Sequence, residues 1–200
     1  MDSYLTIEHD SIGVFKDRKS KFIAIAKPIR NENDVKHVIS EIKSEYSDAT
    51  HHCYAYRFID KNLQIIEHWS DDGEPANSAG IQIYYAIKKF DLLNLLVVVV
   101  RYYGGVKLGV PGLINAYKCS TLEALENAHK IEKKLTKYFS ISFTYEQMSK
   151  VMTCLKRNKA EISKQNLDVE CYIEADIHLP KYEIIEEELK NINVKINELN

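Results

Sequence analysis

Apolar and polar positions alternate along the chain in a way that sets out most of its elements. Over 11–29 two β-rich stretches flank the polar Lys16–Ser20, the pattern of a hairpin, and Pro28 closes it. Between Asn31 and Asp48 the apolar positions Val35, Val38, Ile39, Ile42 and Tyr46 recur at helical spacing, with Asn31 or Asn33 placed to cap the start. His51–Ile59 alternates as a half-buried strand does, and a second strand is predicted over 63–69. The Asp60-Lys61-Asn62 segment between them suits a tight turn. Ser70–Gly80 is almost free of apolar residues, and Ile81–Phe90 reads as a helix. The most apolar run, Leu92–Val100, is β-branched and predicts a strand buried on both faces. A loop rich in glycine leads from it to a third helix over 113–128.

After Ala128 the text changes. His129–Leu135 is charged and unpatterned, which places a domain boundary there. Beyond it the order is strand (135–145), helix (146–158), strands (160–165 and 168–179), helix (181–191) and strand (193–199). That βαββαβ order is the ferredoxin-like arrangement, a split pair of βαβ units. The chain therefore reads as α+β, with a first domain over 1–130 and a second over 131–200. No internal repeat or low-complexity tract interrupts either.

Composition narrows the functional classes. The 200 residues carry 27 Lys plus Arg against 29 Asp plus Glu, so no global field draws the chain to nucleic acid or membrane, and such binding needs a local patch. The apolar run is far shorter than the ~20 residues of a membrane helix. Cys53, Cys119, Cys154 and Cys171 form no C-x-x-C pair, and no secretory segment opens the chain, which points to reduced thiols in a cytoplasm.

Two loops carry the candidate chemistry. Arg101–Tyr117 holds four of the seven glycines: Gly104, Gly105, Gly109 and Gly112. Free N–H groups and the positive end of a helix dipole make such a loop a place for anions, with Lys107 and Arg101 supplying charge. Equally, small residues let a helix pack tightly on a sheet, with Pro111 in its first turn. The loop is neither a P-loop nor a dinucleotide fingerprint. The second loop gathers Asp71, Asp72 and Glu74, which can hold a divalent metal, supply an acid and a base, or form a turn capping the next helix with Ser78 as cap. Three acids in a row repel one another unless a cation is near, and Arg101 is the candidate. Adjacent strand residues point to opposite faces, so His51 and His52 do not suit one zinc ion with Cys53 and His68. Cys53 beside His52 is a nucleophile only if an oxyanion site completes it. Tyr54, Tyr56, Tyr102 and Tyr103 offer ring faces for bases, or bridge core and water.

Ser70–Gly80 followed by Val97–Tyr117, with Lys19–Ala24 and His51–Phe58 upstream, resembles the signature of the IMPACT family in its bacterial, YigZ-type branch. The resemblance covers roughly 10–130, and the remainder is similar to the small ferredoxin-like domain of bacterial members. It implies a ribosomal protein S5 domain 2-like first domain, a sheet covered on one side by helices. The two domains also resemble domains IV and V of elongation factor G, which act on the ribosome. Eukaryotic members regulate translation with an extra N-terminal RWD domain that this sequence lacks, so their kinase-linked role is not carried over. Ala76, the Gly80-Ile81-Gln82 stretch and Asn115 depart from the family pattern, with the loss of two basic positions.

The expectation is a non-enzymatic, cytoplasmic, translation-linked regulator without cofactor or metal. Its partner would be the ribosome, structured RNA or a translation factor, with no membrane and no sequence-specific DNA binding. The binding residues would be Lys19, Lys21, Asp71, Asp72, Glu74, Arg101, Tyr102, Gly104, Gly105, Lys107 and Gly109, joined by Lys16 and Arg18 of the basic hairpin. The alternative is a small-molecule enzyme in which the carboxylates hold Mg²⁺ beside a glycine-rich phosphate site. A third reading makes both loops scaffold, with Arg101 neutralising the acidic one. The two loops must converge at one edge of the first sheet for any shared site.

Overall fold

A computed structural model describes residues 2–168 and 170–199. The chain divides into two compact units, one spanning Leu5–Glu132 and the other combining Met1–Tyr4 with Lys133–Asn200.

The larger unit is built on β2 (Ser11–Asp17), β3 (Ser20–Pro28), β4 (His51–Ile59), β5 (Ile65–Ser70) and β6 (Leu95–Tyr102), in the order β2-β3-β6-β4-β5. Every neighbouring pair is antiparallel. The central position of β6 explains its composition. Its odd residues Leu95, Val97 and Val99 enter a core with α2 (Gly80–Lys89) and α3 (Gly109–Asn127), while Leu96, Val98 and Val100 pack with Val35 and Ile42 of α1 (Glu32–Glu45). Helices thus cover both faces. The expectation of cover on one side is corrected, because a strand apolar at every position needs a partner on each face.

Local chemistry sets the element ends. Asn31 caps α1, its side chain accepting from Asn33 and Asp34 N–H. The β2–β3 connection is a two-residue turn at Arg18 (φ 43°) and Lys19 (φ 65°), the left-handed pair that matches strand twist in a tight hairpin. Asp60 closes the β4–β5 connection by accepting from Asn62 and Gln64 N–H.

Two strands escaped the sequence reading: β1 (Ser3–Ile7) pairs with β7 (Lys130–Lys134), which runs through the segment read as unpatterned boundary. A charged stretch pairs readily through its backbone without an apolar face.

The smaller unit follows the βαββαβ order with β8 (Thr136–Thr144), α4 (Met148–Asn158), β9 (Glu161–Leu167), β10 (Glu170–His178), α5 (Tyr182–Asn191) and β11 (Lys195–Glu198). Its strand order β11-β8-β10-β9 is the antiparallel ferredoxin-like sheet. Phe139, Ile141, Ile173, Ala175, Val151, Leu155, Ile185 and Leu189 form its separate core.

Candidate functional site

The acidic and glycine-rich loops do meet, through Glu74 and Arg101. Arg101 leaves the end of β6 on the α2–α3 face, opposite Phe22 of β3 and His51 of β4. Its Nη1 donates to Glu74 Oε1 at 2.5 Å, and the guanidinium lies over the rings of Phe22 and Tyr103 at 5.5 and 5.4 Å. Both partners are buried, Arg101 at 6% exposure and Glu74 at 8%. Tyr117 of α3 donates its hydroxyl to the same Glu74 oxygen at 2.8 Å. Cys53 Sγ sits 3.3 Å from that hydroxyl and 3.0 Å from the Asp71 carbonyl. Burial, reinforced by Cys53 and Glu74, pushes the Tyr117 phenol far above its ordinary range, so it stays a donor.

The other two carboxylates serve different donors. Asp71 takes the role foreseen for Ser78: its Oδ1 accepts from Ala79 and Gly80 N–H at the start of α2, and its Oδ2 from Asn77 N–H. Ser78 instead donates to the Pro75 carbonyl. A carboxylate outbids a hydroxyl here because it adds charge to the helix dipole. Asp72, at φ 41°, accepts from His52 N–H at 2.7 Å and pairs with Lys43 of α1 at 3.2 Å. Of the three acids, Glu74 is the one that Arg101 partners. Among the described residues no group of three or more His, Cys, Asp or Glu side chains is arranged to hold a metal ion. The two histidines do point apart, His51 Nδ1 facing the Asp72 carbonyl and His52 Nε2 the Tyr46 carbonyl.

Glu74 and Arg101 are thus buried and paired with each other, while half-buried Asp71 is engaged by the backbone at the start of α2. What remains at the surface is basic. Gly104 is pressed onto the β2–β3 turn so closely that a Cβ would fall 2.1 Å from the Lys19 carbonyl carbon, and its N–H donates to Ser20 Oγ. Arg18 Nη1 reaches the Lys107 carbonyl at 3.3 Å, and Lys16 pairs across the hairpin with Lys21, which in turn opposes Tyr102. Lys16, Arg18, Lys19, Lys21 and Lys107 are all exposed. Tyr103, Val106 and Val110 stand among them, each about half exposed. Tyr102 is tied down by its hydroxyl, which donates to Asp48. Gly105 and Gly109 adopt φ +82° and +73°, and α3 begins with no side-chain cap. Sequence reasoning missed Tyr117 and Lys43; their helical positions signalled only a core face and a solvent face.

The fold and this interlocked pair of loops define a two-domain α+β protein, an S5 domain 2-like unit joined to a ferredoxin-like one. The Impact N-terminal domain family matches residues 18–125, and the chain belongs to the IMPACT family. It is 33% identical to IMPACT family member YvyE of Bacillus subtilis over 178 residues, covering 87% of this chain and 81% of that one. IMPACT family member YigZ of Escherichia coli is 28% identical over 93% of this chain and 90% of its own length. The crystal structure of a hypothetical protein superposes with TM-score 0.73 at 24% identity, covering 100% of this chain and 98% of the other.

Proposed function

We propose that the larger unit is a non-enzymatic, translation-linked docking module that binds structured RNA, such as that of the ribosome, through the hairpin turn and the Gly104–Gly109 loop. The observation that carries this reading is the seat of Gly104 on the Lys19 backbone, which brings the loop of Lys107 against the cationic turn of Arg18 and Lys19. Backbone phosphates are the ligand such a surface suits, and the uncapped start of α3 offers further N–H donors beside Lys107. No base-reading motif is required, because duplex RNA is recognised largely by shape and backbone. The family relationship supports a link to translation. Against the small-molecule enzyme with carboxylate-held Mg²⁺, each carboxylate of the acidic loop is already engaged by a protein donor.

Filter binding of the intact protein to tRNA and to ribosomes tests the proposal. Lys21→Ala and Lys107→Ala each weaken binding several-fold at low salt, and the pair together more so. Absence of low-salt binding, or binding indifferent to both substitutions, sinks it.

A further inference from the structure

The five-stranded sheet has two edges, and the chain treats them differently. At the β2 edge, α3 supplies partners for the backbone: Glu123 Oε2 accepts from Val14 N–H at 3.0 Å and Asn127 Nδ2 donates to the Ile12 carbonyl at 3.0 Å. Such cover keeps a sheet edge from pairing with other chains. The β5 edge has no counterpart. Alternate residues of an edge strand turn N–H and C=O away from their neighbour strand. Among the described residues, no hydrogen bond links that outer row of Ile65–Ser70 to another element. Nor does β5 carry a proline, a lysine or a bulge in its pairing with β4. Three of its six residues are apolar, and these, Ile65, Ile66 and Trp69, are each more than a third exposed.

Both flanks of this edge are furnished for side chains. On the α2 face the Trp69 ring lies 4.9 Å from Tyr84, which lies 5.6 Å from the exposed ring of Tyr85. On the α1 face Ile66 and His68 stand beside Tyr56, whose ring is 5.6 Å from His68. The strand's one carboxylate is already engaged: Arg57 Nε and the Tyr84 hydroxyl both donate to Glu67 at 2.7 Å. An incoming strand meets no unpaired acid there.

We propose that the β5 edge accepts, as a sixth strand, an extended aliphatic segment of a partner protein, with alternate side chains entering the Trp69–Tyr85 flank and the Ile66–His68 flank. A second copy of this chain fits the edge poorly. In a two-fold edge pairing, opposed residues share a face, so the register centred on Glu67 sets carboxylate against carboxylate. Like charges directly opposed are unfavourable. Six residues of edge are also short of the roughly 1,200 Å² that a stable symmetric interface buries. A peptide gains main-chain bonds and both flanks without bringing a second globular surface into register.

The test uses the isotope-labelled full-length protein and, as probe, a capped octapeptide of alternating valine and threonine. Saturable amide shifts should be confined to β5, Tyr84 and Tyr85, with slowed hydrogen exchange at the outer β5 amides. Ile66→Lys and Trp69→Lys each weaken binding at least tenfold, while Lys107→Ala leaves it unchanged, so this inference and the RNA reading fail separately. The same peptide N-methylated at alternate residues should not bind, a control that leaves the protein's folding untouched. No saturable shift at millimolar peptide, or equal binding of the N-methylated form, overturns the proposal. So does sedimentation of the protein alone as a dimer with its β5 amides protected, which assigns the edge to a second copy.

Discussion

Glu74 concentrates two donors on a single buried oxygen, and that geometry makes its neighbours unequal. Removing Arg101 leaves a carboxylate below the surface with only the Tyr117 hydroxyl, so Arg101→Ala should cost about 3–5 kcal/mol in urea unfolding. Tyr117→Phe deletes one neutral donor to a charged acceptor and should cost about 1–3 kcal/mol. An Arg101→Ala variant as stable as the parent would mean the pair is solvated. The interlock also quenches Cys53: burial first, then the charges of Glu74, Asp72 and Asp71, push its thiol up against the opposing bond to Tyr117. In native protein a thiol-titrating disulfide reagent should therefore label half-exposed Cys119 first, while Cys53 and Cys154, the latter pushed up to about 12, react only after unfolding. The Asp-Gly-Glu-Pro stretch looks like a solvated turn in the sequence because the groups that bury Glu74 lie 27 and 43 positions further along. Asp71 was legible as a residue of a capping loop, since its targets are only 8 and 9 positions away.

At the scale of the elements, the β2–β3 hairpin is built against its own stability. Arg18 and Lys19 occupy left-handed φ that Asn and Gly accept far more readily, at roughly 1–2 kcal/mol per residue for ordinary side chains. Replacing the pair with Asn-Gly should raise the urea midpoint and lower tRNA affinity together. A variant that gains stability and keeps its affinity would show that the turn cations take no part in docking. The β5 strand is fastened by charge to β4 and α2, and this gives it a pH dependence. Burial works to raise the Glu67 pKa, but hydrogen bonds from Tyr84 and Arg57 outweigh it and hold the carboxyl below its usual range. A depressed folded pKa contributes stability that is present above the unfolded value of about 4.3 and is lost as pH falls through the folded one. Glu67→Gln should thus narrow the difference in urea midpoint between pH 5 and pH 3; an unchanged difference would assign the acid sensitivity elsewhere. The existence of both hairpins was readable from alternation and turn residues. That α3 blunts one sheet edge, while no hydrogen bond among the described residues covers the other, was not, because Glu123 and Asn127 carry no mark in sequence of which backbone they serve.

For the whole molecule, the order of all elements but β1 and β7 was legible because each unit encloses its own core and its periodicities answer to local partners. Helical cover on both faces of the first sheet was implied by the unbroken apolar run of β6, yet the family resemblance pointed the other way, and the composition was the better guide. Charge is the property that only the folded molecule reveals. The chain carries a formal net charge of −2, so its overall field disfavours RNA, and the proposed docking rests on a local patch formed by the exposed Lys16, Arg18, Lys19, Lys21 and Lys107. Each phosphate contact releases condensed counterions, and the plot of log affinity against log salt falls by about 0.7 to 0.9 per contact. Five contacts would give a slope of about −3.5 to −4.5. Substituting Lys16, Lys21 and Lys107 with alanine should then flatten it by about 2 to 3, with the unfolding midpoint little changed because all three side chains are exposed. If the parent's slope is near zero, or the triple variant retains the parent's slope, the binding does not pass through this surface, and the Gly104 contact serves the packing of the hairpin alone.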